Sequence, residues 1–143
     1  MQQTMKQLAT AIHTLIDQGV DGDPATFPEL ALRVFGYQYR ANTPYRQYCD
    51  GYGITPATIH HWQQIPAFPT SAFKDGLVTS FPLEQAVMAQ LTSGTTANRR
   101  GEIYRDAIGR ELVFHANRVM TGAFLFPDLE LQPRCRVLIL APS

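Results

Sequence analysis

Residues 92–101 read TSGTTANRRG and follow the apolar stretch AVMAQL (86–91). Thr92, Ser93, Thr95 and Thr96 supply hydroxyls, Gly94 and Gly101 supply backbone freedom, and Arg99 and Arg100 supply positive charge. Such a set suits phosphate. Backbone N–H groups in a glycine-containing turn can converge on an anion, hydroxyls add donors, and guanidinium groups add charge-assisted hydrogen bonds. The Walker pattern, in which Gly-Lys-Ser/Thr follows a glycine and four residues, is absent. A polar turn between two strands explains the same composition, since Ser-Gly and Asn are ordinary turn residues. Composition leaves both readings open.

Other chemistry-bearing residues have simpler readings. Cys49 and Cys135 lie far apart without metal-type spacing and read as buried thiols. His60-His61-Trp62 hints at a metal site. Adjacent histidines on a helix diverge by about 100°, however, and no third ligand is suitably spaced. Lys74, in PTSAFK, reads as a solvated lysine rather than an anion ligand. Arg105-Asp106 reads as a local ion pair at the loop exit, and His115 as a packed histidine on a helix behind the loop.

The chain has 143 residues, with twelve Lys plus Arg against twelve Asp plus Glu and an apolar fraction of 45%. That length suits about one globular domain, and zero formal charge argues against a nucleic-acid binder. The first twenty residues lack the apolar block of a signal peptide, and no window has the run of about 18 apolar residues that a membrane span needs. A cytoplasmic location without a transmembrane segment is the expectation.

Periodicity positions these residues. Met5, Leu8, Ile12, Leu15 and Ile16 share one helical face, with Gly19 as the stop. A second helix is expected from Thr26, capped by its hydroxyl and by Glu29 in a capping box. Thr43-Pro44 and Thr55-Pro56 each read as an N-cap followed by proline, and Pro69-Thr70-Ser71 as a shorter start. Residues 1–80 are thus mainly helical. Residues 85–143 read as strand (86–91), loop, strand (102–104), helix (106–124) and the apolar strand RVLIL (136–140). The apolar run suits a strand buried on both faces, so the fold class is α/β with part of a mixed or parallel sheet. Such a strand needs neighbours. The expectation is therefore the front part of a larger protein, or a partner that completes the sheet, with self-association through an exposed edge.

The loop resembles that of the acyl-adenylate-forming enzymes, Thr-Ser-Gly-Thr-Thr-Gly, two variable residues, then Lys-Gly; six of the eight fixed positions agree. FGYQYRANTPYRQYC (35–49), IPAFPTSAFK (65–74), RGEIYRD (100–106) and RVLILAPS (136–143) together resemble the LuxE-type acyl-protein synthetases. The resemblance implies the N-terminal part of an adenylating domain, and an enzyme that uses ATP and Mg²⁺ to activate a fatty acid as its acyl-adenylate and passes the acyl group to a thiol. By this resemblance Thr92, Ser93, Gly94, Thr95, Thr96, Arg100 and Gly101 bind the phosphates. The partners implied are a carboxylic acid, in particular a fatty acid, and an acyl-donating or acyl-accepting protein. Two positions depart from the pattern. Ala97 replaces a glycine, and Arg100 replaces a lysine whose charge it keeps but whose geometry it changes. The family's magnesium ligand, ribose ligand, C-terminal lysine and acceptor cysteine have no counterpart here, and neither Cys49 nor Cys135 takes the acceptor's place. The 143-residue chain alone is accordingly expected to be inactive. A fragment of an acyl- or aryl-coenzyme A ligase, and a non-catalytic module that retains the fold, are the alternatives.

Overall fold

The computed structural model describes residues 4–19, 22–92 and 100–125. Helix α1 spans Met5–Gln18. Thr4 caps it reciprocally: its Oγ1 accepts from the Gln7 N–H at 3.4 Å, while Gln7 Oε1 accepts from the Thr4 N–H at 3.0 Å. Gly19 ends it at φ 60°, a conformation that glycine adopts without strain. The apolar stripe seats Leu8, only 1% exposed, against the neighbouring helices.

Helix α2 spans Thr26–Ala41 and so starts where expected, but its cap differs from expectation. Thr26 lies inside the helix and makes no cap. Asp23 governs the entry instead, its Oδ1 accepting from the Ala25 N–H at 2.9 Å and its carbonyl from the Thr26 N–H at 3.0 Å. A short acidic side chain followed by proline closes a turn on itself, so the capping role moves upstream of the threonine.

Helix α3 spans Thr43–Gly51, and its cap is Asn42 rather than Thr43. Asn42 ends one helix and starts the next. Its N–H donates to the Gln38 carbonyl at 2.8 Å, and its Oδ1 accepts from the Tyr45 N–H at 3.1 Å. Extended backbone at Asn42 (φ −105°, ψ 98°) suits a cap, and moves Thr43 and Pro44 into the first turn, where missing N–H partners cost nothing. The Thr55-Pro56 start gives only one turn. Thr58 Oγ1 accepts from the Thr55 N–H at 2.9 Å, and the chain then anchors Ile59 in the core and is extended by His61. Helix α4, Ala72–Asp75, is the short helix expected after Pro69.

The core joins α2, α3 and the segment that follows them. Phe35, Tyr45, Cys49 and Ile59 form its buried centre. Edge-on aromatic contacts lead outward from Tyr45 to Phe68 (5.5 Å between centroids) and from Phe68 to Phe73 on α4 (6.2 Å). The Tyr45 hydroxyl also donates to the Pro66 carbonyl at 2.9 Å. Through these contacts the core fixes α4.

Strands β1 (Met88–Leu91) and β2 (Glu102–Arg105) pair antiparallel, with Met88 opposite Arg105 and Leu91 opposite Glu102. The expected strands are present, yet the sheet among the described residues is this antiparallel pair alone and not a parallel or mixed one. A loop of this length returns the chain beside itself, which an antiparallel ladder satisfies directly and a parallel ladder cannot. The apolar stretch 136–140 lies outside the described residues. Helix α5, Ala107–Leu125, follows β2 and packs on α1. No described helix is long and apolar enough to cross a membrane.

Candidate functional site

Beyond the paired strands the hairpin closes on Thr92 and Gly101. The Thr92 N–H donates to the Gly101 carbonyl at 2.9 Å, and the Gly101 N–H donates to Thr92 Oγ1 at 2.8 Å. This reciprocal pair holds together the two ends of the hydroxyl- and glycine-rich loop. Ser93, Gly94, Thr95 and Thr96, with Ala97 and Arg99, lie outside the described residues. Arg100 is exposed next to the base, with its charge open to solvent.

Gly101 is buried, for a steric reason. A Cβ there would stand 3.2 Å from the Phe73 carbonyl oxygen, 3.3 Å from the Phe73 carbonyl carbon and 3.2 Å from Thr92 Oγ1. The base of the loop is therefore pressed against α4, which the aromatic contacts tie to the core. Two segments singled out in the sequence, PTSAFK and RRG, meet at this contact. Lys74, half-buried on α4, is the residue after Phe73.

The loop exit is organised differently from the expected Arg105–Asp106 pair. Arg105 Nε donates across the ladder to Gln90 Oε1 at 2.9 Å. Asp106 turns forward to cap α5, its Oδ1 accepting from the Gly109 N–H at 2.7 Å. Four N–H groups at a helix start need acceptors, and a carboxylate satisfies one of them while complementing the helix dipole. Tyr37 lies close enough for this carboxylate to matter: burial first, and the Asp106 charge second, push its phenol pKa up.

His115 joins α5 to α1. Its Nε2 lies 2.6 Å from Asp17 Oδ1, and its Nδ1 lies 2.9 Å from the Arg118 guanidinium. Arginine can only donate, so Nδ1 accepts and Nε2 carries the proton given to Asp17. The residue is a helix-to-helix tie, in keeping with a packed role. His60 and His61 precede a single 3-10 turn, Trp62–Gln64, instead of sitting on a helix, and both their N–H groups donate to Gln64 Oε1. No cluster able to hold a metal ion occurs among the described residues. Cys49 is fully buried, and burial pushes its thiol pKa up, which keeps it protonated and inert at neutral pH. Cys135 lies outside the described residues.

Sequence reasoning missed the positioning roles of Asn42, Asp106 and Phe73. Asn42 was legible as a cap in Asn-Thr-Pro, and Asp106 as a cap after a strand. The contact of Gly101 with Phe73 had no local signal, because the two are far apart in the chain.

Neither a curated protein nor a solved structure matches the chain. The family model described as "Acyl-protein synthetase, LuxE" matches residues 20–124, a span that takes in α2, the core, α4, the whole loop and nearly all of α5. With most of its length matched by that model, the chain belongs to the LuxE acyl-protein synthetase family.

Proposed function

We propose that this chain is the N-terminal part of an enzyme that activates a carboxylic acid with ATP, in the manner of the acyl-adenylate-forming enzymes, and that residues 92–101 hold the triphosphate. In this reading a carboxylate oxygen of the acid attacks the α-phosphorus, pyrophosphate leaves, and the acyl group then passes from the adenylate to a thiol. The substrate is a fatty acid and the acceptor a protein. Ser93, Gly94, Thr95 and Thr96 donate to phosphate oxygens, and Arg100 stabilises the charge that gathers on the leaving pyrophosphate. Thr92 and Gly101 serve chiefly as the base, since the Gly101 N–H is already engaged by Thr92. Magnesium arrives with ATP as its phosphate complex. The described residues offer no acidic cluster for it, so no step is assigned to a protein ligand of the metal. Cys49 is not the acyl acceptor, because its buried, protonated thiol meets no substrate.

The observation that carries this reading is the family match, which spans the loop, together with the hydrogen-bonded base that Thr92 and Gly101 form against Phe73. A preorganised base matters for phosphoryl chemistry, which consists mainly of positioning and charge stabilisation. Calorimetric titration with MgATP, repeated in the presence of pyrophosphate, tests it. Saturable binding that pyrophosphate displaces is expected; heat that pyrophosphate leaves unchanged would remove the triphosphate assignment.

A further inference from the structure

The sequence contains only two lysines, Lys6 and Lys74. Lys6 is exposed on α1, whereas Lys74 is half-buried on α4. In a half-buried lysine the four-carbon stem is covered while the ammonium stays at the surface. Here that ammonium has no ion-pair or hydrogen-bond partner among the described residues. Asp75, the nearest carboxylate in the chain, serves another face of the helix. With Ser71 and Ala72 it lines a cavity beside Pro44 and Tyr48 that Lys74 does not line. Phe73 turns into the aromatic core, against Phe68. Successive helical residues diverge by about 100°, so Lys74 takes the face of α4 that belongs to neither the cavity nor the core.

That face stands at the foot of the loop. Helix α4 packs on β2, and the peptide group joining Phe73 to Lys74 is the one that Gly101 presses against. A Cβ built on Gly101 would stand 3.2 Å from its oxygen and 3.3 Å from its carbon. Lys74 thus departs from one side of this contact, and Arg100, the neighbour of Gly101, from the other. Arg100 also has no side-chain partner among the described residues. Two unpaired cations on adjoining segments raise the local potential and favour an anion with several charged oxygens.

We propose that Lys74 is a second cationic ligand of the terminal phosphates, acting beside Arg100. This role rests on the triphosphate reading above. As the carboxylate attacks, the bond from the α-phosphorus to the bridging oxygen breaks and its electron pair leaves on pyrophosphate. The ammonium stabilises that charge and transfers no proton. A lysine on a flexible stem serves as a point charge that can follow the departing group, whereas the guanidinium fork fixes direction. The reading of Lys74 as merely solvated is thereby revised.

The test is amine footprinting of the full chain by brief treatment with acetic anhydride, with and without saturating MgATP. Mass spectrometry follows acetylation at Lys74, and Lys6 is the internal control. MgATP should slow acetylation of Lys74 severalfold and leave Lys6 unchanged. Calorimetry with MgATP supplies the second readout. Lys74→Met keeps an apolar stem without the charge and should bind about tenfold more weakly or worse, the loss of a charge-assisted hydrogen bond, with an unaltered urea midpoint in the absence of nucleotide. Lys74→Arg should retain most of the affinity, which a purely steric role would not predict. Equal acetylation of Lys74 with and without bound MgATP, or unchanged affinity in Lys74→Met, would overturn the role of Lys74 and leave the triphosphate reading standing. A parent chain that binds no MgATP would overturn that reading, and the role of Lys74 with it.

Discussion

Replacing Gly101 by alanine probes the joint between the loop and the rest of the fold. The new methyl would meet the Phe73 carbonyl oxygen and Thr92 Oγ1, each at 3.2 Å, and the Phe73 carbonyl carbon at 3.3 Å. Two of these three atoms belong to the backbone of a helix that aromatic packing holds in place, so they yield poorly. Overpacking of this kind costs about 1–3 kcal/mol. Gly101 has no positive φ, so alanine also narrows the unfolded ensemble and returns about 0.4–1 kcal/mol. The net expectation is a loss of up to about 2.6 kcal/mol. Urea unfolding followed by far-ultraviolet circular dichroism measures it, with Gly76→Ala as control. Gly76, next to the same short helix, has extended backbone and nothing within 4 Å of a built Cβ. Gly76→Ala should therefore be neutral or stabilising. The Gly101→Ala loss should shrink when Thr92 is also alanine, because one of the three contacts is then gone. Equal stability of Gly101→Ala and Gly76→Ala would refute the close approach of loop base and α4.

Two further predictions concern groups away from the loop. Asp106→Ala removes the α5 cap and should cost about 0.5–2 kcal/mol, with faster hydrogen exchange confined to the first turn, at the Gly109 amide first; unchanged exchange there would contradict the cap. Cys49, isolated by Cys135→Ser, should resist a thiol reagent at neutral pH and react fully in urea. Burial raises its pKa above the ordinary 9.0, so the unfolded chain loses this proton first, and stability should fall as pH rises through that value. The fall should be smaller in Cys49→Ser; fast native labelling or an unaltered pH profile would refute the burial argument.

How much was legible depended on the range of the interaction. Helix α1 was plain from the spacing of Met5, Leu8, Ile12 and Ile16, because amphipathic periodicity and a glycine stop are local. Helix α2 began at Thr26 as expected and α3 one residue early, but both caps were misassigned, since Asp23 and Asn42 outcompeted the threonines that follow them. Both strands and α5 were legible as elements. The antiparallel pairing of the strands was not, because strand direction depends on the path of the loop between them. The candidate loop stood out by composition, whereas its base was hidden: Gly101 touches Phe73, and nothing local to either residue announces the other. An apolar cavity of about 620 Å³, assembled from residues between Ile12 and Val78 by the packing of α1 and α2 on the later segment, was equally invisible.

The central claim is that residues 92–101 receive the triphosphate, and Arg100 tests it most directly. Its guanidinium is exposed beside a fixed base, so its removal should change charge without disturbing packing. MgATP affinity should be measured by calorimetry for the parent protein, Arg100→Ala and Arg100→Lys, with circular dichroism confirming the fold of each. A charge-assisted hydrogen bond of about 1.5–3 kcal/mol corresponds to a loss of about tenfold to hundredfold in Arg100→Ala, and Arg100→Lys should retain much of the affinity. Ala97→Gly, which restores backbone freedom to the loop, should leave affinity equal or improved. Unchanged affinity in a folded Arg100→Ala would contradict the account and leave the stretch as an ordinary turn between two strands.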